Sequence, residues 1–317
     1  MIKNYKISII VPVYNVGKSI IDFIGSIPNY VDQIIVVDDK CPLGTGKILK
    51  KHSQNNEKLE ILFNDQNLGV GGTVKRGYES AIKKNSDIIV KIDGDGQMDS
   101  DQIIRLVNCI VDGYDYSKGN RFLNTSYIKN YPLERFLGNK FLSLYSKFST
   151  GYWDIFDPIN GFTAIKKNKL KELNLDKVDN RYFFETDMLF NLYLLKSTVK
   201  DISVNIKYFK DHRQNLNILK ETFNFFFKNF HRLLNRVRIT YLNNSVRLPG
   251  ILFSVGISSL LFSVFFGSYN LFIYSMIKKT FIPNSINAIC LISFIVGLFT
   301  LLFFFKIDIN NNPNKKK

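Results

Sequence analysis

Residues 87–97 read DIIVKIDGDGQ. An apolar run, Ile88–Val90, leads within a few residues to two carboxylates, Asp93 and Asp95, each followed by glycine. A strand that is apolar at consecutive positions is buried on both faces, the pattern of a parallel sheet covered by helices. Ligands of such sheets bind beyond the carboxyl ends of the strands, which is where this pair falls. Two like charges this close repel, so the pair calls for a positive partner between them.

The same pattern recurs on either side. Strands are expected at Lys6–Tyr14, Gln33–Asp39, Leu59–Asp65 and Asp87–Asp93, with helices near Val16–Ser26, Gly44–His52, Val70–Lys84 and Ser100–Val111. This βαβα order predicts an α/β domain with a mostly parallel sheet and helices on both faces. From about Tyr114 the signals are mixed: strands at Asp115–Gly119, Gly161–Ile165 and Val199–Tyr208, and helices at Leu133–Phe148 and Phe184–Lys196. In Asn217–Val246, Phe223, Phe227, Phe230, Leu234, Val237 and Tyr241 recur at three- and four-residue steps, and Lys228, Arg232 and Arg236 at every fourth. That spacing predicts an amphipathic helix with an aromatic and a basic face, suited to a membrane interface. A helix packed on the domain is the alternative.

Composition is ordinary for a 317-residue globular chain, with 45% hydrophobic and 22% charged residues, but the apolar residues are unevenly placed. Leu248–Ile277 and Thr280–Phe305 contain no charge, and only Lys278 and Lys279 separate them. Each run exceeds the roughly 20 residues needed to cross a bilayer core, so a transmembrane hairpin is expected over 248–306. The start, MIKNYKISIIVPVYN, lacks the apolar length and small-residue cleavage site of a secretory leader. Residues 1–206 and both termini are therefore expected on the cytoplasmic side, which the positive-inside rule also favours.

The net charge of +16 is concentrated near the expected membrane: residues 207–247 hold nine Lys/Arg against two Asp/Glu, whereas 1–206 hold 28 against 24. Excess cations there suit anionic headgroups. No basic cluster marks the folded part as a nucleic-acid binder. Cys41, Cys109 and Cys290 are scattered, without zinc spacing. The expected organisation is a cytosolic domain over 1–210, juxtamembrane helices over 211–247, the hairpin over 248–306 and a disordered basic tail over 307–317.

Three constellations carry chemistry. Asp93-x-Asp95 offers hard oxygen ligands for Mg²⁺ or Mn²⁺. A calcium loop starting at Asp93 fails, because its fifth, sixth and twelfth positions are Gln97, Met98 and Ile104. Asp38-Asp39 ends the second strand, where it would hold a ribose or base edge, or else cap the following helix. NLGVGG (Asn67–Gly72) is not a dinucleotide fingerprint, since Val74 stands where a third glycine is needed. Its glycines instead suit a tight turn and close helix packing.

Taken in order, SIIVPVYN (Ser8–Asn15), VVDD (Val36–Asp39), NLGVGG and DGDGQ (Asp93–Gln97) resemble family 2 glycosyltransferases with the GT-A fold, over most of residues 5–210. DPINGFTAI (Asp157–Ile165) and RYFFETDML (Arg181–Leu189) are similar to that family's acceptor-side motifs. With the basic helix and two spans, the chain looks like the polyprenyl-phosphate type, similar to dolichol-phosphate mannose synthase and its bacterial membrane-anchored relatives.

The resemblance implies that Pro12, Tyr14, Asp38, Asp39, Gly69, Asp93, Gly94 and Asp95 bind a nucleotide sugar, either a UDP-sugar or GDP-mannose. It implies Asp93, Asp95 and Gln97 as metal ligands, Arg121 and Arg213 at the acceptor phosphate, and Asp157 and Glu185 as catalytic acids. Two stretches depart from the pattern. Lys40-Cys41 stands where relatives have Gly-Ser, and HRQNLN (His212–Asn217) replaces Arg-x-x-Gly-x-Ser.

The implied reaction is inverting transfer to a polyprenyl phosphate, undecaprenyl phosphate in a bacterial inner membrane, with membrane lipids as partners and a homo-oligomer as the implied assembly. A phosphate acceptor needs cations such as Arg121, Arg213 or Lys118 and little base catalysis, since its second pKa is near 6. A sugar-hydroxyl acceptor on a lipid-linked glycan needs a carboxylate base, Asp157 or Glu185. A catalytically silent membrane scaffold is the non-enzymatic alternative.

Overall fold

The computed structural model describes residues 5–52, 56–123, 133–205, 218–243 and 245–316. It has two compact units, one built on Met1–Arg232 and one on Leu233–Lys315. In the first, β1 (Ile7–Val13), α1 (Ser19–Gly25), β2 (Gln33–Asp38), α2 (Thr45–His52), β3 (Leu59–Phe63), α3 (Gly69–Lys83), β4 (Ile88–Lys91), α4 (Ile103–Val111) and β5 (Tyr116–Asn120) alternate. There follow α5 (Leu133–Thr150), β6 (Thr163–Lys166), α6 (Lys167–Glu172), α7 (Phe184–Leu194), β7 (Val199–Ser203) and α8 (Ile218–Val237), inside which the unit boundary falls.

The strands form one sheet in the order β3-β2-β1-β4-β6-β5-β7. It is mostly parallel, and only β6 runs against its neighbours, β4 and β5. Ile7, Ile9, Val11 and Val13 face a core shared with Ile20 and Phe23 of α1 and Leu106, Val107 and Ile110 of α4. Ile10, Ile35, Val37 and Ile89 face the opposite core, with Val74 and Tyr78 of α3 and Met188, Leu189 and Leu192 of α7. Covering both faces is why the strands are apolar at both parities, each buried side chain contributing about 1.5–3 kcal/mol.

Pro12 is tolerated in central β1 by its register. The amide of Ile92 donates to the carbonyl of Ile10, the last β1 residue in register with β4. Pro12 faces the same side, past the end of that pairing, so its missing N–H breaks no ladder bond.

In α8 the basic row is engaged by acids of the protein, with Lys228 still exposed. Lys228 pairs with Asp179 at 2.5 Å, and Arg232 pairs with the buried Asp187 at 2.6 Å. Arg236, wholly buried, pairs with the equally buried Asp308 of α10 at 2.7 Å. The exposed face is the aromatic one, with Phe223 at 65% and Phe227 at 64%. Val237 and Tyr241, assigned to that face from their spacing, are buried. Helical spacing finds both faces; it cannot see acids that lie far off in sequence and claim the cations.

In the second unit, α9 (Leu248–Phe272) continues as a π-helical turn to Lys278, and α10 spans Asn284–Asn310. Both are long and apolar enough to cross a membrane. Unlike core helices they are mostly exposed: Phe265 is 69% accessible and Ile292 61%. They meet through small residues, since a Cβ on Gly256 would lie 2.7 Å from Leu301 and one on Gly297 2.7 Å from Leu260. Helix α10 passes the expected end at Lys306 and carries Asp308 to Arg236 and Tyr241. Beyond it, a 3-10 turn forms over Pro313–Lys316, where a disordered tail was expected. Asn312 nucleates it, accepting the Asn314 amide on its side chain and the Lys315 amide on its carbonyl.

Candidate active site

The positive partner of Asp93 comes from its own strand. Lys91, the last residue of β4, is 1% exposed. Its Nζ lies 2.9 Å from Asp93 Oδ1 and 2.6 Å from Glu185 Oε1 on the first turn of α7. Burial opposes its charge, but the two carboxylates prevail and hold the ammonium above the ordinary lysine range. Lys91 thus joins the DGDGQ motif to RYFFETDML, 94 residues on.

The sheet register extends this into a polar row: Lys91 of β4 opposes Thr163 of β6, which opposes Lys118 of β5, which opposes Asp201 of β7. Register partners share a face, so the row lies on the α3–α7 side. Lys118 is fully buried, and its Nζ donates to the Asn160 carbonyl at 2.5 Å. Burial lowers its pKa to about 8, against the pull of Glu185 and Asp157. Such a lysine is not a surface ligand for a phosphate, as its type alone had suggested. Asp201 is pushed up to about 7 by burial, against donors from Phe156 and Asn120.

Asp157, 1% exposed, is gripped bidentately by Arg121, with Nε to Oδ2 at 2.7 Å and Nη2 to Oδ1 at 2.8 Å. The Arg121 amide and the Asn160 side chain also donate to Oδ2. Burial acts to raise its pKa, but Arg121 outweighs it and holds the carboxyl below its usual range. A carboxylate so held is a weak proton acceptor. Glu185, committed to Lys91, is no better placed.

Asp93 and Asp95 stand where expected, in the turn after β4; Asp95 Oδ1 accepts the Gln97 amide at 3.0 Å. The loop holding Gly161 passes so close that a Cβ there would lie 2.2 Å from Asp93 Oδ2 and 2.5 Å from Lys91 Nζ. Gly94 is closely packed: a Cβ there would meet Val13 at 2.9 Å and Val11 at 3.0 Å. Among the described residues no group of three or more His, Cys, Asp or Glu is placed to hold a metal ion. The turn after β4 offers the pair Asp93 and Asp95. That donor set fits Mg²⁺ or Mn²⁺, which take one or two carboxylates and complete their shell with substrate phosphates and water.

The other acidic pair takes backbone donors. Asp38 accepts the amides of Cys41 at 2.6 Å and Gly46 at 2.7 Å. Asp39 accepts those of Leu68 at 2.7 Å and Gly69 at 3.0 Å, and the Asn64 side chain at 2.8 Å. Asp38 thus helps cap the start of α2, the alternative open from the sequence, while Asp39 holds the start of α3. Gly69, at φ +78°, sits where a Cβ would be 2.6 Å from the Asn180 carbonyl, so the glycine turn packs on the loop before α7. Tyr14 follows β1 and is 53% exposed at the same sheet edge. Arg213 lies outside the described residues. Lys91, Asn160 and Asp201 were missed; only Lys91 carried a signal, a lysine in an otherwise apolar strand.

Residues 8–173 match glycosyl transferase family 2. The UDP-N-acetylglucosamine–dolichyl-phosphate N-acetylglucosaminyltransferase of Methanococcus voltae is 32% identical over 190 residues, 56% of this chain and 75% of that protein. The polyprenol monophosphomannose synthase of Mycolicibacterium smegmatis is 26% identical over 57% of this chain and 69% of its own. The undecaprenyl-phosphate mannosyltransferase of Micrococcus luteus is 25% identical over 62% and 81%. Among solved structures, glucosyl-3-phosphoglycerate synthase from Mycobacterium tuberculosis, in complex with Mn²⁺, UDP and phosphoglyceric acid, superposes with a TM-score of 0.54 at 18% identity, covering 74% of this chain and 78% of that one. That likeness is one of fold, GT-A. By the extent of the family match and the similarity of the Methanococcus enzyme, this chain belongs to glycosyl transferase family 2.

Proposed function

We propose that the chain transfers a sugar, with inversion, from a nucleotide sugar to a polyprenyl phosphate at the cytoplasmic face of a membrane. The observation that carries this reading is that both candidate bases are committed to cations: Asp157 to Arg121 and Glu185 to Lys91. A sugar-hydroxyl acceptor would need one of them to take its proton. A phosphate monoester is ionised at neutral pH and needs none. Its need is for positive charge, and Arg121 stands at the end of β5, beside the strand ends where ligands of such sheets bind. The names of the similar enzymes, which speak of polyprenol monophosphomannose, dolichyl phosphate and undecaprenyl phosphate, support the same acceptor.

On this reading Asp93 and Asp95 hold the donor diphosphate through a divalent cation, with Gln97 beside them. When bound, the cation would neutralise the charge that develops on the departing diphosphate. Lys91 sets the orientation of Asp93 and holds Glu185 near it. Asp38 and Asp39 act one step back, fixing the loops that line the nucleotide. Residues 1–210 form the catalytic domain, 211–247 the juxtamembrane segment and 248–306 the anchor. The donor is a UDP-sugar or GDP-mannose.

The test is nucleotide release by the full chain in vesicles containing undecaprenyl phosphate, with UDP-sugars and GDP-mannose and with Mg²⁺ or Mn²⁺. Release should depend on the lipid phosphate and the cation, and fall at least about a hundredfold in Asp95→Asn. Transfer to a lipid-linked hydroxyl but to no lipid phosphate would overturn the acceptor assignment.

A further inference from the structure

Asp201, in the sequence VKDIS of β7, belongs to no motif and touches none of the residues assigned above. Its bonds nonetheless converge on two of them. Asp201 Oδ2 accepts from the side chain of Asn120 at 2.6 Å and from the backbone amide of Phe156 at 2.7 Å. Asn120 directly precedes Arg121, and Phe156 directly precedes Asp157. One oxygen atom therefore ties together the neighbours of both members of the bidentate pair.

The surrounding bonds complete a bracket on each side. Asn120 donates to Asp201 and, through Oδ1, accepts the amide of Phe122 at 2.8 Å, so its side chain spans the turn that carries Arg121. Asn160 donates to Asp157 Oδ2 at 3.2 Å and accepts the amide of Phe162 at 2.9 Å, closing the far side of the acid. Asp201 adds a further tie between the two brackets, beside the direct Arg121–Asp157 bonds and the bond from Lys118 to the Asn160 carbonyl. Its other oxygen, Oδ1, is shielded from solvent and has no hydrogen-bond partner among the described residues. A carboxylate with one oxygen unsatisfied is costly to keep, so its place is not explained by stability alone.

We propose that Asp201 is a positioning residue for the transfer reaction. It splints the turn after β5 to the loop before β6 and so sets the guanidinium of Arg121 against Asp157, at the place where the acceptor phosphate is to bind. This rests on the acceptor reading above only for the identity of the ligand; the splint itself is a statement about the loops.

The test has two independent readouts on the full chain in detergent micelles. Hydrogen–deuterium exchange comes first. Asp201→Ala should speed exchange at the amides of Arg121–Leu123 and Phe156–Asp157 about tenfold or more, roughly one hydrogen bond to a charged group, and leave β1 and α3 unchanged. Asp201→Asn should restore protection, because its carboxamide oxygen can replace Oδ2. Asn120→Ser removes the splint from its other end, should loosen Arg121–Leu123 alike, and carries the test if Asp201→Ala fails to fold.

Transfer kinetics come second. With undecaprenyl phosphate as acceptor, Asp201→Ala should raise the acceptor KM about tenfold and leave the nucleotide-sugar KM unchanged. Unchanged exchange in both loops overturns the splint whatever the activity. Increased exchange with an unchanged acceptor KM overturns its role in the reaction. Wild-type protein that transfers to no lipid phosphate, yet shows the expected exchange pattern, refutes the acceptor reading and upholds the splint.

Discussion

An ammonium taken out of water must recover several kcal/mol from nearby anions or lose its proton. At Lys91 two carboxylates do this, one from its own turn and one from α7. The arrangement cuts both ways, since Asp93 and Glu185 depend on the same cation, and Glu185 is itself largely buried. Replacing Lys91 by Met keeps much of the side-chain volume and strands Glu185 without a counter-charge. The expected cost is about 3 kcal/mol, the low end for breaking a buried pair. In a unit of this size that lowers the melting temperature by roughly 6–12 °C. Lys91→Met combined with Glu185→Leu removes both charges and should recover most of the loss, while nucleotide release stays abolished because Asp93 is no longer oriented. A double variant that melts no higher than the single one would show that the two side chains are not energetically coupled.

At the scale of elements, most of the first unit was legible because each strand is covered on both faces and so spells an unbroken apolar run. The strand ends, and with them Asp38, Asp39, Asp93 and Asp95, followed from that. The placement of β6 did not. Its residues read as a strand, but nothing local says that it inserts between β4 and β5 against their direction. That insertion is what brings the Asp157–Gly161 loop to the end of β4 and Lys118 into line with Lys91. The basic row of α8 was legible as a row, but not its counterions, since Asp179, Asp187 and Asp308 are remote in sequence. Asp38 and Asp39 had two readings from the start, and the amides of Cys41, Gly46, Leu68 and Gly69 come from loops and helix starts beyond the strand, those of Leu68 and Gly69 remote in sequence.

Gly161 gives the inserted loop a direct test. Its hypothetical Cβ overlaps Asp93 Oδ2 and Lys91 Nζ, the ends of two side chains that are paired with each other. Gly161→Ala must therefore displace either the loop or the Asp93 carboxylate. The cation concentration that supports half-maximal turnover should rise about tenfold, equivalent to about 1.4 kcal/mol, with secondary structure unchanged by circular dichroism. A Mn²⁺ titration of activity identical to wild type would mean that the loop yields freely and does not shape the cation site.

At the scale of the whole molecule, the second unit combines an apolar hairpin with one fully buried charge pair. Arg236 and Asp308 are both inaccessible, joined by two bonds of 2.7 and 2.9 Å, and the Tyr241 hydroxyl donates to the same carboxylate at 2.7 Å. The pair fastens the end of α8 and the π-helical turn after it to the last turns of α10. Apolar contacts alone would leave that junction free to slide, because hydrocarbon surfaces fit one another in many registers; a bidentate pair fits in one. Removing one partner exposes the full cost of the other. Asp308→Ala leaves a guanidinium and a hydroxyl buried without their acceptor, a loss of about 3–5 kcal/mol. In detergent micelles this should open the junction often enough to raise tryptic cleavage at Arg236 and Arg238 by roughly a hundredfold, since cleavage tracks the open population when closing is fast. Arg236→Leu with Asp308→Leu, which replaces the pair by apolar volume, should restore resistance at Arg238. Equal cleavage rates for Asp308→Ala and wild type would mean that the apolar contacts of Phe253 and Phe304 hold the junction closed without the charges.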